Sequence, residues 1–383
     1  MGSLKDAPPE DFIRELAGKM RLKEGEEAVR RVLGEIHRRG KVGTKDLARA
    51  TRLPTPVAAA IRRELEKAGL VARKGGAILT ETGKEFVEGV LGMVADHRKA
   101  EGSIGIAPEH EPILEKLRDY TSRRPSADLK LDQAHATPET ALRRALYMLD
   151  GGNLAGRNVL FLGDDDLTSV AAGLLRVAKG ITVVDIDGRL LEVIAGISEE
   201  EGVGIRCILH DLREPLPEEL RGAFDIFLTD PPYTLPGLKL FLSRGIQALR
   251  WRKTSTAYLA YPDKPPLEML EVHGAINWMG LYVDELTPRF NMYIGAEILG
   301  NTTSMFRLVV TGEARPVITG PFQGGIYTGE LRPTTRVYKC RCGEAIEVGS
   351  TKEFTTVEEL KSRGCPKCGS REGFRLAGKQ RSG

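Results

Sequence analysis

The sequence predicts an α/β protein built around a Rossmann-like, doubly wound sheet. Two observations favour this fold class. From residue 157 onward, short apolar runs with the composition of buried strands alternate with amphipathic stretches of helical periodicity. Four of the apolar runs end in acidic turns, which is where open parallel sheets place their ligand sites. A helical unit before the sheet and a short cysteine-bearing tail after it complete the expected architecture.

Residues 1–95 are predicted to form a small helical domain with one hairpin. The expected elements are a helix over 26–39, a short helix capped by Thr44, a helix over 56–68, strands over 70–73 and 77–80, and a helix over 82–91. This order resembles a winged helix-turn-helix. The helix over 56–68 carries Arg62, Arg63 and Lys67, but residues 58–60 are alanines that offer little to base edges. We therefore predict a dimerisation domain and expect a homodimer, with DNA contact as the alternative.

Residues 96–136 are rich in glycine, proline and charge, and we interpret them as a linker whose far end could fold over a site. The sheet domain is assigned to 137–334, where Thr137 caps the first helix. Its predicted strands are 158–162, 181–185, 205–209, 224–229, 256–261 and 305–311, with a helix over 267–279 between the last two. They indicate a seven-stranded, methyltransferase-type sheet.

Composition and charge exclude several classes of protein. No apolar run is long enough to span a membrane and no signal-peptide pattern begins the chain, so we expect a cytoplasmic protein without membrane contact. Only nine Asn and Gln residues occur, which favours a thermophilic source. The net charge of +3 divides into +6 for 1–100, +5 for 335–383 and −8 between them. The central domain therefore prefers a cationic ligand.

The predicted strand ends carry the candidate cofactor residues. The first strand leads into Gly163 followed by three aspartates, where a dinucleotide site would need glycines to cradle phosphate. Asp185 ends the second strand, where a carboxylate can accept both ribose hydroxyls of an adenosine ligand. Asp211 follows the third strand and could accept the adenine amino group or cap its own loop. The predicted cofactor-binding residues are Gly163, Asp164, Asp185 and Asp211.

The fourth strand leads into Asp230, Pro231, Pro232 and Tyr233. This tetrapeptide resembles the signature of enzymes that alkylate amines with S-adenosylmethionine. In such a site the carboxylate and a proline carbonyl orient the attacking nitrogen, and the aromatic face contacts the cation. Ordinary S-adenosylmethionine would bring its α-carboxylate close to the aspartates after the first strand, which would repel it. The decarboxylated donor has only an amine there and would be attracted.

The acidic run 163–166, the tetrapeptide 230–233 and the preceding segment 137–140 together resemble the branched-chain polyamine synthases of thermophiles over roughly residues 130–330. The resemblance implies transfer of aminopropyl groups from decarboxylated S-adenosylmethionine to the central N4 amine of spermidine. The implied products are N4-aminopropylspermidine, then N4-bis(aminopropyl)spermidine, with methylthioadenosine released each time.

A displacement of this kind needs a deprotonated nitrogen in line with the carbon attached to the sulfonium. We assign Asp165 as the group that accepts the proton, with Asp166 and Asp230 orienting the amine. The predicted catalytic residues are therefore Asp165, Asp166 and Asp230. The predicted substrate-binding residues are Asp166, Pro231, Pro232 and Tyr233. Gln133 and His135 are further candidates for the polyamine channel, although a histidine in a linker more often has no such role.

The tail over 335–383 carries two close cysteine pairs about twenty residues apart, as in a zinc ribbon. The second pair has the usual knuckle spacing and the first is one residue shorter. A zinc ion bound by four thiolates is expected, with a reduced, unliganded tail as the alternative. The predicted ligands are Cys340, Cys342, Cys365 and Cys368.

Two other functions fit part of the pattern. A methyltransferase acting on an exocyclic amine of a nucleic-acid base would share the Pro-Pro-Tyr motif, the winged helix and the basic ends. Phosphates would be repelled by the acidic site, so nucleic acid is an unlikely partner. A transcription regulator that only senses an adenosine ligand would bind an operator without turnover.

Overall fold

The computed structural model describes residues 8, 11–22, 25–51, 53–93, 106–250, 255–294, 302–331, 334–349, 352–354 and 356–381. Within this part of the chain, no helix is both long enough and apolar enough to cross a membrane.

The N-terminal unit consists of short helices and one antiparallel hairpin around a common apolar core. Its elements are α1 (Phe12–Lys19), α2 (Glu26–Arg39), α3 (Thr44–Thr51), α4 (Thr55–Lys67), β1 (Val71–Arg73), β2 (Ala77–Leu79) and α5 (Glu81–Glu85), followed by a π-helical turn over Phe86–Val90. The predicted order of helices and hairpin is present, with α1 in addition. Its assignment as a winged-helix dimerisation domain stays a prediction.

The predicted linker contains a helix that belongs to the core of the sheet domain. Helix α6 (Glu111–Ser122) buries Leu114, Leu117 and Tyr120 against that core. This corrects the interpretation of 96–136 as a linker: charged residues dominate the composition, but they lie on the outer face of an amphipathic helix. Residues 96–105 of the predicted linker lie outside the described residues.

A mixed seven-stranded sheet forms the centre of the molecule and resembles the methyltransferase fold. Its strands are β3 (Asn158–Leu162), β4 (Gly180–Asp185), β5 (Ile205–Leu209), β6 (Ile226–Thr229), β7 (Thr256–Tyr261), β8 (Leu281–Met292) and β9 (Thr302–Val310). The order across the sheet is β5-β4-β3-β6-β7-β9-β8, and the first five strands are parallel. Strand β9 runs antiparallel to both of its neighbours, β7 and β8.

Five helices cover the two faces of this sheet, each face with its own apolar core. They are α7 (Pro138–Asp150), α8 (Thr168–Leu174), α9 (Gly188–Glu201), α10 (Leu235–Ala248) and α11 (Pro266–Trp278). Thr137 caps α7 as predicted, since its hydroxyl accepts a hydrogen bond from the Thr140 amide. Strand β8 was missed in the sequence because it lies at the edge of the sheet, where alternate residues are exposed, and charged residues and Pro288 interrupt its apolar residues.

The C-terminal tail contains a separate three-stranded antiparallel sheet with the order β11-β10-β12. Its elements are β10 (Thr334–Lys339), β11 (Ala345–Val348), α13 (Val357–Arg363) and β12 (Arg375–Arg381), preceded by the short helix α12 (Thr328–Leu331). Six buried residues form its core, and two of them are cysteines.

Candidate active site

A cleft opens at the carboxyl ends of the parallel strands. Because β3, β4, β5 and β6 run in the same direction, the turns that follow them meet at this edge of the sheet. Segment 131–134, before α7, forms a further part of the wall. Of the predicted site residues, the cleft is lined by Gly163, Asp165, Asp185, Asp211, Asp230, Pro231, Pro232 and Tyr233. Gln133 also lines it, whereas His135 does not.

Asp164 does not line the cleft, and its role as a cofactor ligand stays a prediction. Its two carboxylate oxygens accept hydrogen bonds from the backbone amides of Thr168 and Ser169, at 2.8 and 3.0 Å. The side chain therefore satisfies free amides at the start of α8. Burial raises the pKa of Asp164 to about 7. Gly163, by contrast, lies at the cleft with a left-handed φ of 74°, a conformation that favours glycine.

Asp165 is the cleft carboxylate whose side chain has no hydrogen bond or ion pair within the described part of the chain. Its backbone is held firmly, since Arg124 donates from Nη1 to the carbonyl oxygens of Asp165 and Ala136 at 3.1 and 3.2 Å. Burial, and then the negative charges of Asp166 and other nearby aspartates, raise the pKa of Asp165 well above its usual range. A carboxylate with a raised pKa and no partner readily binds a proton or a cation that reaches it.

Asp166 does not line the cleft, and its predicted contact with substrate stays a prediction. Its side chain is 1% exposed and accepts hydrogen bonds from the Ala136 amide at 2.5 Å and from Arg144 Nη1 at 2.7 Å. Arg144 lies on α7, where it is also buried, and its Nε donates to Asn291 on β8 at 2.8 Å. Asp166 thus fixes a guanidinium and the loop at residue 136.

The same guanidinium connects Asp166 to Asp230. Arg144 Nη2 donates to Asp230 Oδ2 at 2.7 Å and to the Tyr293 hydroxyl at 2.8 Å. Tyr293 in turn donates to Asp230 Oδ2 at 2.5 Å, and Tyr233 donates to Oδ1 at 2.9 Å. Burial raises the pKa of Asp230, although the positive charge of Arg144 opposes that rise. Both oxygens of Asp230 are therefore engaged, which holds the carboxylate in one orientation.

The two predicted adenosine contacts differ in how firmly they are held. Asp185 accepts from the amides of Asp187 and Asp164 at 2.8 and 3.1 Å, which fixes its carboxylate at the cleft wall. Asp211 forms an ion pair with Arg213 at 2.8 Å and accepts the Arg213 amide at 2.9 Å. Asp211 thus caps its own loop and also lines the cleft, and its contact with an adenine amino group stays a prediction.

The sequence did not predict the residues that organise these carboxylates or the aromatic part of the wall. Arg144 occupies an inward position on an amphipathic helix, which is an unusual place for a charged side chain. This position could have identified Arg144 from the sequence. Tyr293 could not be found, because it follows the strand that was missed. Phe241 and Tyr327 come from distant segments and line the cleft through the tertiary fold alone.

The four tail cysteines converge on one point. Their sulfur atoms lie within 4.8 Å of one another, with Cys340 and Cys368 at 3.7 Å and Cys342 and Cys365 at 3.8 Å. Tetrahedral zinc with bonds of about 2.3 Å would separate its thiolates by about 3.8 Å. The cluster is therefore compatible with zinc, and the shorter first spacing does not prevent convergence.

Comparison with known proteins identifies the family of this chain. The sequence profile of the branched-chain polyamine synthase A C-terminal domain matches residues 112–326, which is more than half of the chain. The chain belongs to the branched-chain polyamine synthase family. This is a family of polyamine aminopropyltransferases, and the match spans α6 as well as the sheet that carries the cleft.

Relatives in this family include both characterised and uncharacterised proteins. An uncharacterised protein of Methanocaldococcus jannaschii is 44% identical, covering 91% of this chain and 89% of the relative. The N(4)-bis(aminopropyl)spermidine synthase of Thermococcus kodakarensis is 35% identical, covering 74% of this chain and 82% of the relative. The enzyme of that name from Methanocaldococcus jannaschii is also 35% identical, covering 63% and 71%.

A solved structure of the family has the same fold. The branched-chain polyamine synthase of Thermus thermophilus, in complex with N4-aminopropylspermidine and 5′-methylthioadenosine, superposes with a TM-score of 0.52 at 25% identity. The superposition covers 84% of this chain and 98% of the Thermus chain.

Proposed function

We propose that this chain transfers aminopropyl groups from decarboxylated S-adenosylmethionine to the N4 amine of spermidine. One observation carries the proposal: the cleft contains an unpartnered carboxylate, Asp165, beside a second carboxylate, Asp230, that is fully engaged. A polycationic amine suits such a cleft, and a nucleic-acid backbone does not. The Thermus enzyme, bound to N4-aminopropylspermidine and methylthioadenosine, supports the same pairing of ligands.

The donor would bind between the turns that follow β3, β4 and β5. Asp185, already fixed by two amides, is suited to accept the ribose hydroxyls, and Asp211 to accept the adenine amino group. Gly163 leaves room for the nucleoside beside the first turn. The acidic cleft favours the decarboxylated donor, because an α-carboxylate would be repelled at close range.

In the transfer, the lone pair of the spermidine N4 attacks the methylene carbon bonded to the sulfonium sulfur. The new N–C bond forms as the C–S bond breaks, and its electron pair stays on the sulfur of methylthioadenosine. Asp165 accepts the proton from the amine and passes it to solvent. The sulfonium is already a good leaving group, so the protein mainly supplies position and a free lone pair.

Asp230 would hold and orient the amine without moving, because three donors restrain it. Pro231, Pro232 and Tyr233 form the adjoining wall, where an aromatic face stabilises the cationic product. A second transfer gives N4-bis(aminopropyl)spermidine, whose quaternary nitrogen has no proton to lose. Asp166 would act indirectly, since it fixes the Arg144 guanidinium that restrains Asp230.

The decisive assay incubates the protein with spermidine and decarboxylated S-adenosylmethionine and follows the amine by mass spectrometry. Increments of one and two aminopropyl groups, with stoichiometric methylthioadenosine, are expected. In Asp165→Asn, kcat should fall by about 10²–10⁴-fold because the proton acceptor is lost. Asp263→Asn removes a carboxylate that binds Ser304 away from the cleft lining, and it should retain normal turnover.

Two outcomes would contradict the proposal. Methyl transfer from S-adenosylmethionine to a nucleic-acid base, without aminopropyl transfer, would favour the alternative enzyme. Wild-type turnover in Asp165→Asn would remove Asp165 from the mechanism while leaving the reaction in place.

We also propose that the tail cysteines bind one structural zinc ion. The distances between the sulfur atoms suit a tetrahedral site of four thiolates, in which no position is left for a substrate. The apolar core of the tail has six buried residues in the described part of the chain, which is too few to fold a small unit by apolar burial alone.

A further inference from the structure

Helix α11 is apolar on two opposite faces. One face packs on the sheet through the buried residues Val272, Ala275 and Ile276. The opposite face exposes Leu267, Leu270 and Trp278, which are 78%, 69% and 68% exposed. Large apolar side chains grouped on the exposed face of a helix are typical of a surface that a partner covers.

The exposed side chains form one stripe along the helix, and the residue at its centre is a glycine without a side chain. At 3.6 residues per turn, positions 267, 270, 274 and 278 lie on the same face of a helix. Gly274 is the central member, and no heavy atom lies within 4 Å of the place where its Cβ would be. Bulky residues at both ends and a glycine in the middle allow a second helix to cross closely at Gly274.

A negative charge lies about one turn before Gly274, and a positive charge lies at the C-terminal end of the stripe. Glu271 is exposed on the same face, toward the N-terminal end of α11. At the C-terminal end, the guanidinium of Arg315 stacks on the Trp278 ring, 4.8 Å from its centroid. Neither Glu271 nor Arg315 forms an ion pair with another described residue.

We propose that this face of α11 binds the same face of a second copy of the chain. The two helices run antiparallel, with a two-fold axis that passes between the two Gly274 residues. This symmetry places Glu271 of one copy at the level of residues 277 and 278 of the other, beside the second copy's Arg315. The pattern is self-complementary in shape and in charge, which is the requirement for an isologous contact.

The size of the stripe sets an expectation for affinity. The helical rise from residue 267 to residue 278 is roughly 16 Å, which makes a small contact relative to a standard interface. We therefore expect a dimer that dissociates on dilution. A homodimer formed through residues 1–95 is the competing arrangement.

The symmetry can be tested with a single cysteine. In full-length Gly274→Cys, two identical side chains meet at the axis, so mild oxidation should give a disulfide-linked dimer whose linked peptide contains residue 274. Asn277→Cys is the matched control: it is exposed on the same helix, but its two copies lie roughly 9 Å apart along the axis, beyond disulfide reach. Equal or absent linkage in the two variants would overturn the proposal.

A charge swap provides a second test. Glu271→Arg and Arg315→Glu should each weaken dimerisation, measured by sedimentation velocity over a dilution series, by at least ~10-fold. The double variant should restore it, which a folding defect would not do. Dimerisation that neither single variant changes would overturn this interface and favour the N-terminal unit. Neither residue lines the cleft, so the outcome is independent of whether the chain transfers aminopropyl groups.

Discussion

At the scale of single residues, the acidic cleft contains carboxylates with different tasks. Asp164 caps a helix and Asp166 holds a buried guanidinium, so both side chains already have partners within the protein. Asp230 is restrained by Arg144 and two tyrosines, whereas Asp165 has no partner among the described residues. This arrangement suits a proton acceptor. The neighbouring carboxylates are held by their partners, so Asp165 is the carboxylate that can take up a proton from the substrate.

The raised pKa of Asp165 predicts how activity depends on pH. A base must be ionised, so kcat/KM should fall as the pH drops through the Asp165 pKa. Because burial and the nearby aspartates raise that pKa, the loss should occur at higher pH than for an ordinary carboxylate. The measurement is a pH profile of kcat/KM with spermidine.

Variants separate this effect from protonation of the substrate amine. The acidic limb attributable to Asp165 should disappear in Asp165→Asn and persist in Asp263→Asn. An unchanged acidic limb in Asp165→Asn would assign the titration to another group.

At the scale of elements, the junction between the N-terminal unit and the sheet domain is tightly packed. Gly156, just before β3, donates its amide to Val177. Arg157 forms an ion pair with Glu27 of α2 at 2.6 Å. A Cβ on Gly156 would lie 2.2 Å from the Leu91 carbonyl oxygen, which leaves no room for any side chain. The junction therefore depends on close backbone approach at one position.

Two alanine substitutions measure the importance of this contact. Gly156 and Gly152 have similar left-handed φ values, 64° and 70°, but a Cβ on Gly152 would meet nothing within 4 Å. Gly152→Ala should lower the free energy of unfolding by about 1–2 kcal/mol through backbone strain alone. Gly156→Ala should cost about 1–3 kcal/mol more because of the clash. Chemical denaturation of the two variants measures both changes in the free energy of unfolding. Equal losses of stability would mean that the backbone at the junction moves to accommodate the Cβ.

At the scale of the whole molecule, charge and the cysteine cluster divide the chain into parts with separate physical requirements. The sheet domain has two large apolar cores, whereas the tail has one small core built partly from its cysteines. The excess of negative charge in residues 101–334 lies in the part that contains the cleft, between basic ends. We therefore expect the sheet to fold without the tail, and the tail to require a cross-link of its own.

Metal analysis tests the proposed role of zinc. Protein purified without chelator should contain about one zinc ion per chain. Cys368→Ser should lose the metal, and its tail should become sensitive to proteolysis while the sheet domain stays protected. Cys207→Ser, the same substitution outside the cluster, should retain zinc. Absence of zinc from the unmodified protein would favour a reduced, unliganded tail.

The sequence by itself determined the class of the fold, the edge of the sheet where the site lies, and the cysteines that converge. These follow from local patterns: apolar runs predict strands, and acidic turns after parallel strands must meet at one edge. Only the tertiary structure decided which aspartates face the cleft, because a turn residue can cap a helix or face a ligand with the same sequence. It also brought Arg144, Tyr293 and Tyr327 to the site from distant segments. Their positions depend on how α7, β8 and the segment before α12 pack together, which no local pattern specifies.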